Sequence, residues 1–161
     1  MKVAFIGAGA MARAISAGAA KSQAGEWVFS FFDPAPGAAQ QAAKECGGTA
    51  APSAAQAMEG ADHDSPALVR VMPNVNAAAG HATSAICWNS FASPTQVAGA
   101  TALFDAIGET MEIPEPLFGA FTAMAGSSPA WYFRIVNALA LAGVNAGLTK
   151  AQATRAAASA M

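Results

Sequence analysis

The first half of the chain alternates between short apolar runs and longer segments with helical spacing. Residues 2–6 form an apolar run that predicts a strand, Gly7 ends it, and the small residues from Ala10 to about Lys21 predict a helix. Further strands are predicted at 27–32, 68–72, 82–88 and 109–113, and further helices at 37–46, 53–60 (with Ser53 as N-cap) and 94–107. Strands that alternate with helices are typical of α/β proteins built from βαβ units.

The second half of the chain changes character after Pro116, where the strand pattern stops and helical spacing continues. We therefore place a domain boundary between residues 114 and 115, with an α/β domain over 1–114 and an all-helical domain over 115–161. A capping box from Thr149 to Gln152 is predicted to open the last helix.

The predicted helix over 129–146 is apolar on nearly all sides, which is typical of a buried or membrane-spanning helix. Arg134 and Asn137 lie well inside it, and no lone span is expected after an α/β domain. We therefore predict that this helix is buried in an oligomer, and that Gly147 caps its end.

Composition narrows the possible partners of the chain. Of its 161 residues 54% are hydrophobic and 11% charged, with a net charge of −2 and no basic run. We expect no binding to nucleic acid or to a membrane surface, and a surface partly hidden in a partner.

The cysteines and histidines give no metal-binding pattern. Cys46, Cys87, His63 and His81 are scattered without the spacing of a zinc site, so we expect no metal and two reduced thiols. The apolar run at the N-terminus is too short for a signal peptide, and we expect a cytoplasmic protein.

The segment Gly7-Ala8-Gly9-Ala10-Met11-Ala12 matches the pattern G-x-G-x-x-G/A between a predicted strand and a predicted helix. In this pattern the first glycine makes the turn, the second lets a pyrophosphate approach the backbone, and the last small residue lets the helix pack closely. The free N–H groups at the helix N-terminus bind the phosphates. The sequence therefore predicts a Rossmann-type domain that binds NAD or NADP.

Asp33 follows the second predicted strand, where an acidic residue accepts hydrogen bonds from the adenosine ribose. A carboxylate repels a 2′-phosphate, and residues 34–39 contain no lysine or arginine, so we expect a preference for NADH. A second interpretation is that Asp33 opens the Asp-Pro turn, and both roles are compatible.

Three segments together resemble the pyrroline-5-carboxylate reductase family. They are residues 3–12, the segment Val69-Arg-Val-Met-Pro-Asn74, and the segment Ala125-Gly-Ser-Ser-Pro-Ala-Trp131 ahead of the long apolar helix. The family pattern differs at Val75, Ser128 and Trp131. The chain also lacks the family's Ala-Val-Lys-Pro segment near the nicotinamide and its later loop near the substrate.

The resemblance implies hydride transfer from NADH or NADPH to 1-pyrroline-5-carboxylate, giving L-proline, by a homodimer or a ring of dimers. It implies cofactor contacts from Gly7, Gly9, Ala10, Met11 and Asp33, with the nicotinamide end near Met72, Pro73 and Asn74. It implies a substrate pocket bordered by Gly126, Ser127 and Ser128. No catalytic side chain is identified, because the protonated imine requires no strong protein base and the cofactor supplies the reactive hydride.

Two alternatives stay open. A β-hydroxyacid dehydrogenase also pairs such a glycine loop with a helical domain, but it relies on an interdomain lysine that residues 117–146 do not contain. A non-catalytic nucleotide-binding paralogue would suit the altered segments.

The junction between Asp62 and Pro66 is too short for the predicted fold. A parallel sheet needs long crossovers, and a strand–helix–strand unit takes about 30 residues. The four Cα steps from Asp62 to Pro66 reach at most about 14 Å. We expect that a segment is either omitted here or deleted from the protein, and that the helix interrupted at Met161 continues.

Overall fold

Apolar runs form strands and small-residue segments form helices in the computed structural model, which describes residues 1–22, 26–59 and 67–160. The described strands are β1 (Lys2–Ile6), β2 (Val28–Phe32), β3 (Thr49–Ala50), β4 (Val69–Met72), β5 (Ala82–Trp88) and β6 (Gly108–Glu112). The described helices are α1 (Ala10–Lys21), α2 (Ala38–Cys46), α3 (Ala54–Ala57), α4 (Pro94–Asp105), α5 (Phe118–Phe121), α6 (Ser128–Asn145) and α7 (Lys150–Ser159). They belong to two units, Met1–Phe118 and Gly119–Met161.

In the first unit, β1, β2 and β3 form a parallel sheet with β2 in the centre. The rings of Phe5 and Phe31 stack with centroids 5.2 Å apart, and Phe29 and Phe31 are buried against α1 and α2. The buried helix positions facing these rings are mostly alanine, which lets the helices approach the sheet closely. The opening β1–α1–β2 unit is therefore a Rossmann-type arrangement, as the sequence predicts.

The short strand β3 is not predicted from the sequence, and Gly48 explains how it forms. Gly48 has a φ of +140°, and a Cβ there would lie 2.6 Å from the carbonyl oxygen of Phe29. Glycine thus lets the backbone leave α2 and pass close beside β2, where two residues pair.

The second sheet has the order β4–β5–β6. β4 pairs with β5 in the antiparallel direction, whereas β5 and β6 are parallel and are connected through α4. A 3₁₀ helix over Val75–Ala79, also not predicted, joins β4 to β5 and packs against α1. It brings Ala77 into the core cluster that contains Ala8 and Ile15.

In the second unit, α6 and α7 pack against each other through small residues. Ala140, Ala153 and Ala157 are buried between them, and a Cβ on Gly143 would lie 3.0 Å from that of Ala153. The predicted capping box of Thr149 and Gln152 is present at the start of α7. Among the described residues, no helix is both long enough and apolar enough to cross a membrane.

The predicted fold class, an α/β Rossmann-type domain followed by a helical region, is confirmed. The predicted domain boundary between residues 114 and 115 stays a prediction. The expected discontinuity between Asp62 and Pro66 lies outside the described residues.

Candidate functional site

The glycine loop between β1 and α1 has an open outer side. Gly7 has a φ of +105°, a backbone conformation that residues other than glycine rarely adopt. A Cβ added at Gly7 or Gly9 would meet no heavy atom within 4 Å. Neither glycine is therefore covered on this side by the rest of the protein.

The N-terminus of α1 is equipped to bind an anion. Gly9 is its N-cap, no side chain caps the helix, and its first turn contains no acidic residue. Gly9, Ala10 and Met11 are exposed. The N–H groups of this turn and the helix dipole are thus free to act on phosphate groups.

Asp33 lies beside this loop, at the end of β2, and its carboxylate is engaged by the protein backbone. The N–H of Ala8 donates to Oδ2 over 2.7 Å, and the N–H of Ala35 donates to Oδ1 over 2.8 Å. The contact with Ala35 is the hydrogen bond of an Asx turn, so the turn-forming role of Asp33 is confirmed. Each oxygen keeps a further lone pair with which a ribose hydroxyl could bond.

The two backbone hydrogen bonds also fix the charge of Asp33. The N–H of Ala8, and after it that of Ala35, lowers the pKa of the carboxyl below its ordinary value. The group is therefore negative at neutral pH. Sequence reasoning had no signal for the contact with Ala8, because the donor is a backbone group distant in the sequence.

The segment Met72–Asn74 brings a buried amide to the end of β4. The side-chain oxygen of Asn74 accepts the N–H groups of Asn76 at 3.2 Å and Thr83 at 3.3 Å. Asn74 thereby starts the 3₁₀ helix that packs on α1, while Met72 and Pro73 remain half-buried. Asn74 thus fixes the backbone of the segment that packs beside α1.

The candidate substrate residues belong to the other unit. Gly126 ends a π-helical turn, Thr122–Gly126, in which the N–H of Ser127 donates to the carbonyl of Thr122 over 2.9 Å. Such turns occur frequently at functional sites. Ser127 and Ser128 begin α6, and the N-cap Ser127 makes no side-chain capping bond.

The described cysteines and possible metal ligands form neither an activated thiol nor a metal-binding cluster. Burial, and then the nearby Glu115, raises the pKa of the Cys87 thiol, which disfavours a thiolate nucleophile. Within the part of the chain that the structure describes, no three His, Cys, Asp or Glu residues cluster as metal ligands. His63 lies outside the described residues.

Two family models match the chain. Residues 115–161 match pyrroline-5-carboxylate reductase dimerisation, and residues 2–64 match the NADP oxidoreductase, coenzyme F420-dependent family. Pyrroline-5-carboxylate reductase from Mycobacterium tuberculosis is 43% identical over 94 residues, which are 58% of this chain and 32% of that enzyme. The chain matches about a third of the length of such curated relatives.

Solved structures match over nearly the whole chain. The 1-pyrroline-5-carboxylate reductase from Streptococcus pyogenes has a TM-score of 0.86 at 26% identity, covering 99% of this chain and 76% of that one. The pyrroline carboxylate reductase from Plasmodium falciparum, solved with NADP bound, has a TM-score of 0.78 at 19% identity and covers 99% and 75% respectively.

Proposed function

We propose that the chain, which is similar to pyrroline-5-carboxylate reductases in both sequence and structure, reduces 1-pyrroline-5-carboxylate to L-proline with a nicotinamide dinucleotide. The observation that carries this proposal is the open glycine loop at the uncapped N-terminus of α1. When bound, the reduced cofactor supplies a hydride to C5 of the protonated imine.

The chain's own residues then bind the cofactor, orient it against the substrate and exclude water. The pyrophosphate binds to the loop residues Gly7, Gly9, Ala10 and Met11. The adenosine ribose binds to Asp33. Met72, Pro73 and Asn74 lie toward the nicotinamide end of the cofactor. Holding the nicotinamide and the imine in a reactive orientation gives them a high effective concentration, which accounts for catalysis without a protein base.

The substrate carboxylate is assigned to the start of α6. Ser127 and Ser128, which follow Gly126, offer side-chain hydroxyls at the start of an 18-residue helix, where the helix dipole favours an anion. The protein is proposed to act as a cytoplasmic homodimer or a ring of dimers, with its domain boundary at residues 114 and 115.

The decisive assay follows the loss of NADH or NADPH absorbance on addition of 1-pyrroline-5-carboxylate, with 3-hydroxyacids and oxidised cofactor in parallel. Turnover of the imine alone supports the proposal. Turnover of the hydroxyacids would favour a β-hydroxyacid dehydrogenase, and cofactor binding without turnover would favour a non-catalytic paralogue.

Gly9→Ala is expected to weaken dinucleotide binding by about tenfold or more, or about 1.4 kcal/mol, and to lower the free energy of unfolding by at most about 1 kcal/mol, because alanine is a poorer N-cap than glycine. The new methyl group meets no protein atom within 4 Å, so it obstructs only the space assigned to the pyrophosphate. Gly119→Ala, where a Cβ also meets nothing within 4 Å, is the matched control. Isothermal titration measures the affinity of both variants, and thermal unfolding measures their stability. An unchanged affinity in Gly9→Ala would contradict the assignment of the pyrophosphate to this loop.

NADH is expected to bind more tightly than NADPH. The Asp33 carboxylate stays charged at neutral pH, and it lies at the end of β2, where the 2′-phosphate of NADPH would be placed. Titrating both cofactors at equal ionic strength measures the preference directly. Tighter binding of NADPH would refute it.

A further inference from the structure

Asp33 links two parts of the nucleotide-binding unit that are distant in the sequence. We use the name Asp33 bridge for the two hydrogen bonds that its carboxylate accepts, from the N–H groups of Ala8 and Ala35. Ala8 is buried in the middle of the glycine loop, whereas Ala35 lies in the turn after β2. The carboxylate thus holds the loop and the turn at fixed positions.

The Asp33 bridge works together with a neighbouring backbone contact. The N–H of Gly7 donates to the carbonyl of Phe32 over 2.8 Å, so two successive N–H groups of the loop point toward the end of β2. The loop N–H groups left for phosphates begin at Gly9. A loop fastened in this way needs little ordering when a ligand binds, which favours affinity.

We propose that Asp33 is a positioning residue for the dinucleotide-binding loop, so that its carboxylate supports the binding of both NADH and NADPH besides discriminating between them. This inference rests on the proposed function for the identity of the ligand. It differs from a simple ribose contact in one respect: loss of the Asp33 bridge weakens both cofactors, including the one that the carboxylate disfavours.

The substitution Asp33→Ser isolates the contact with Ala8. A serine hydroxyl can replace the carboxylate in the turn with Ala35, but its shorter side chain does not reach the loop. Asp33→Asn keeps the length and one acceptor oxygen and removes the charge. Asp105→Asn, at the exposed end of α4, is the control for loss of one negative charge.

The first measurement is hydrogen exchange of the Ala8 amide in the cofactor-free protein, followed by NMR. We expect exchange to accelerate about tenfold or more in Asp33→Ser, less in Asp33→Asn and not in Asp105→Asn, because an amide that loses its hydrogen bond loses protection. Unchanged exchange at Ala8 in Asp33→Ser overturns the proposal. Because no cofactor is present, this result stands even if the proposed reaction fails.

The second measurement is the titration of each variant with NADH and NADPH. We expect the Kd for NADH to rise about tenfold or more in Asp33→Ser and the Kd for NADPH to rise by less, because loss of the carboxylate also removes its repulsion of the 2′-phosphate; we expect partial rescue in Asp33→Asn and no change in Asp105→Asn. Weaker binding of NADH with unchanged or tighter binding of NADPH would reduce Asp33 to a ribose contact and overturn the positioning role. If the wild-type protein binds neither cofactor, the proposed function fails, and the exchange measurement alone decides whether the Asp33 bridge exists.

Discussion

Ile135→Glu is expected to convert the protein from a dimer into a monomer. Trp131, Ile135 and Leu139 follow one face of α6 at helical spacing and are 61%, 49% and 52% exposed in the single chain. Burying each of them against a partner contributes about 1.5–3 kcal/mol, and a glutamate in their centre would place an unpaired charge in that contact. Residues 115–161, which include α6, match the pyrroline-5-carboxylate reductase dimerisation family.

The matched control is Arg155→Glu, which introduces the same side chain at an exposed position of α7. Light scattering over a range of concentrations is expected to show dimers or larger assemblies for the wild type and the control, and monomers for Ile135→Glu. A wild-type protein that is monomeric at micromolar concentration would remove the dimer proposal. Dissociation of the control but not of Ile135→Glu would assign the interface to α7.

The elements predicted well are those whose signals are local. β1, α1 and β5 have the predicted bounds because an apolar run or a helical pattern is bounded by glycine or by polar residues. The Ser53 cap and the Thr149 capping box also depend on residues within one turn. Such features are determined by neighbouring residues, so they can be predicted without knowledge of contacts between distant segments.

The features that were missed depend on contacts between distant segments. β3 exists because Gly48 lets the backbone pass beside Phe29. The direction of β4 is set by its antiparallel hydrogen bonds to β5, a strand separated from it in the sequence by a 3₁₀ helix. In the candidate site, the sequence located Asp33 but not its bond to Ala8, and located Asn74 but not its bond to Thr83. The donors in both cases are backbone N–H groups, which every non-proline residue carries and which therefore leave no trace in a sequence.

The second large effect is expected from lengthening the chain between Asp62 and Pro66. Within the described residues, no strand pairs with the outer edge of β1 or of β4, and each is an edge of its own three-stranded sheet. The ammonium of Lys2 donates to the carbonyl of Glu59 over 2.9 Å, which places the chain at Glu59 next to the start of β1. From there a strand could pair with β1 in the parallel direction.

We expect that inserting the corresponding strand–helix–strand segment of a full-length relative, such as the Mycobacterium tuberculosis reductase, raises kcat/KM for imine reduction by about a hundredfold. The physical reason is that small displacements of the groups that orient a substrate cost about this factor, and that strands hydrogen-bonded to the open edges of β1 and β4 would restrict such displacements. A glycine–serine insert of equal length is the control, since it lengthens the connection without supplying strands.

Three results would distinguish what the strands next to β1 and β4 contribute. Activity that rises with the native segment and stays low with the glycine–serine insert supports a missing unit next to β1. A chain that already equals the full-length relative in kcat/KM contradicts it, because the edges of β1 and β4 would then need no further strand for catalysis. A segment that restores cofactor binding without turnover would support the missing strands for the nucleotide site and assign the remaining loss to the substrate residues Gly126, Ser127 and Ser128.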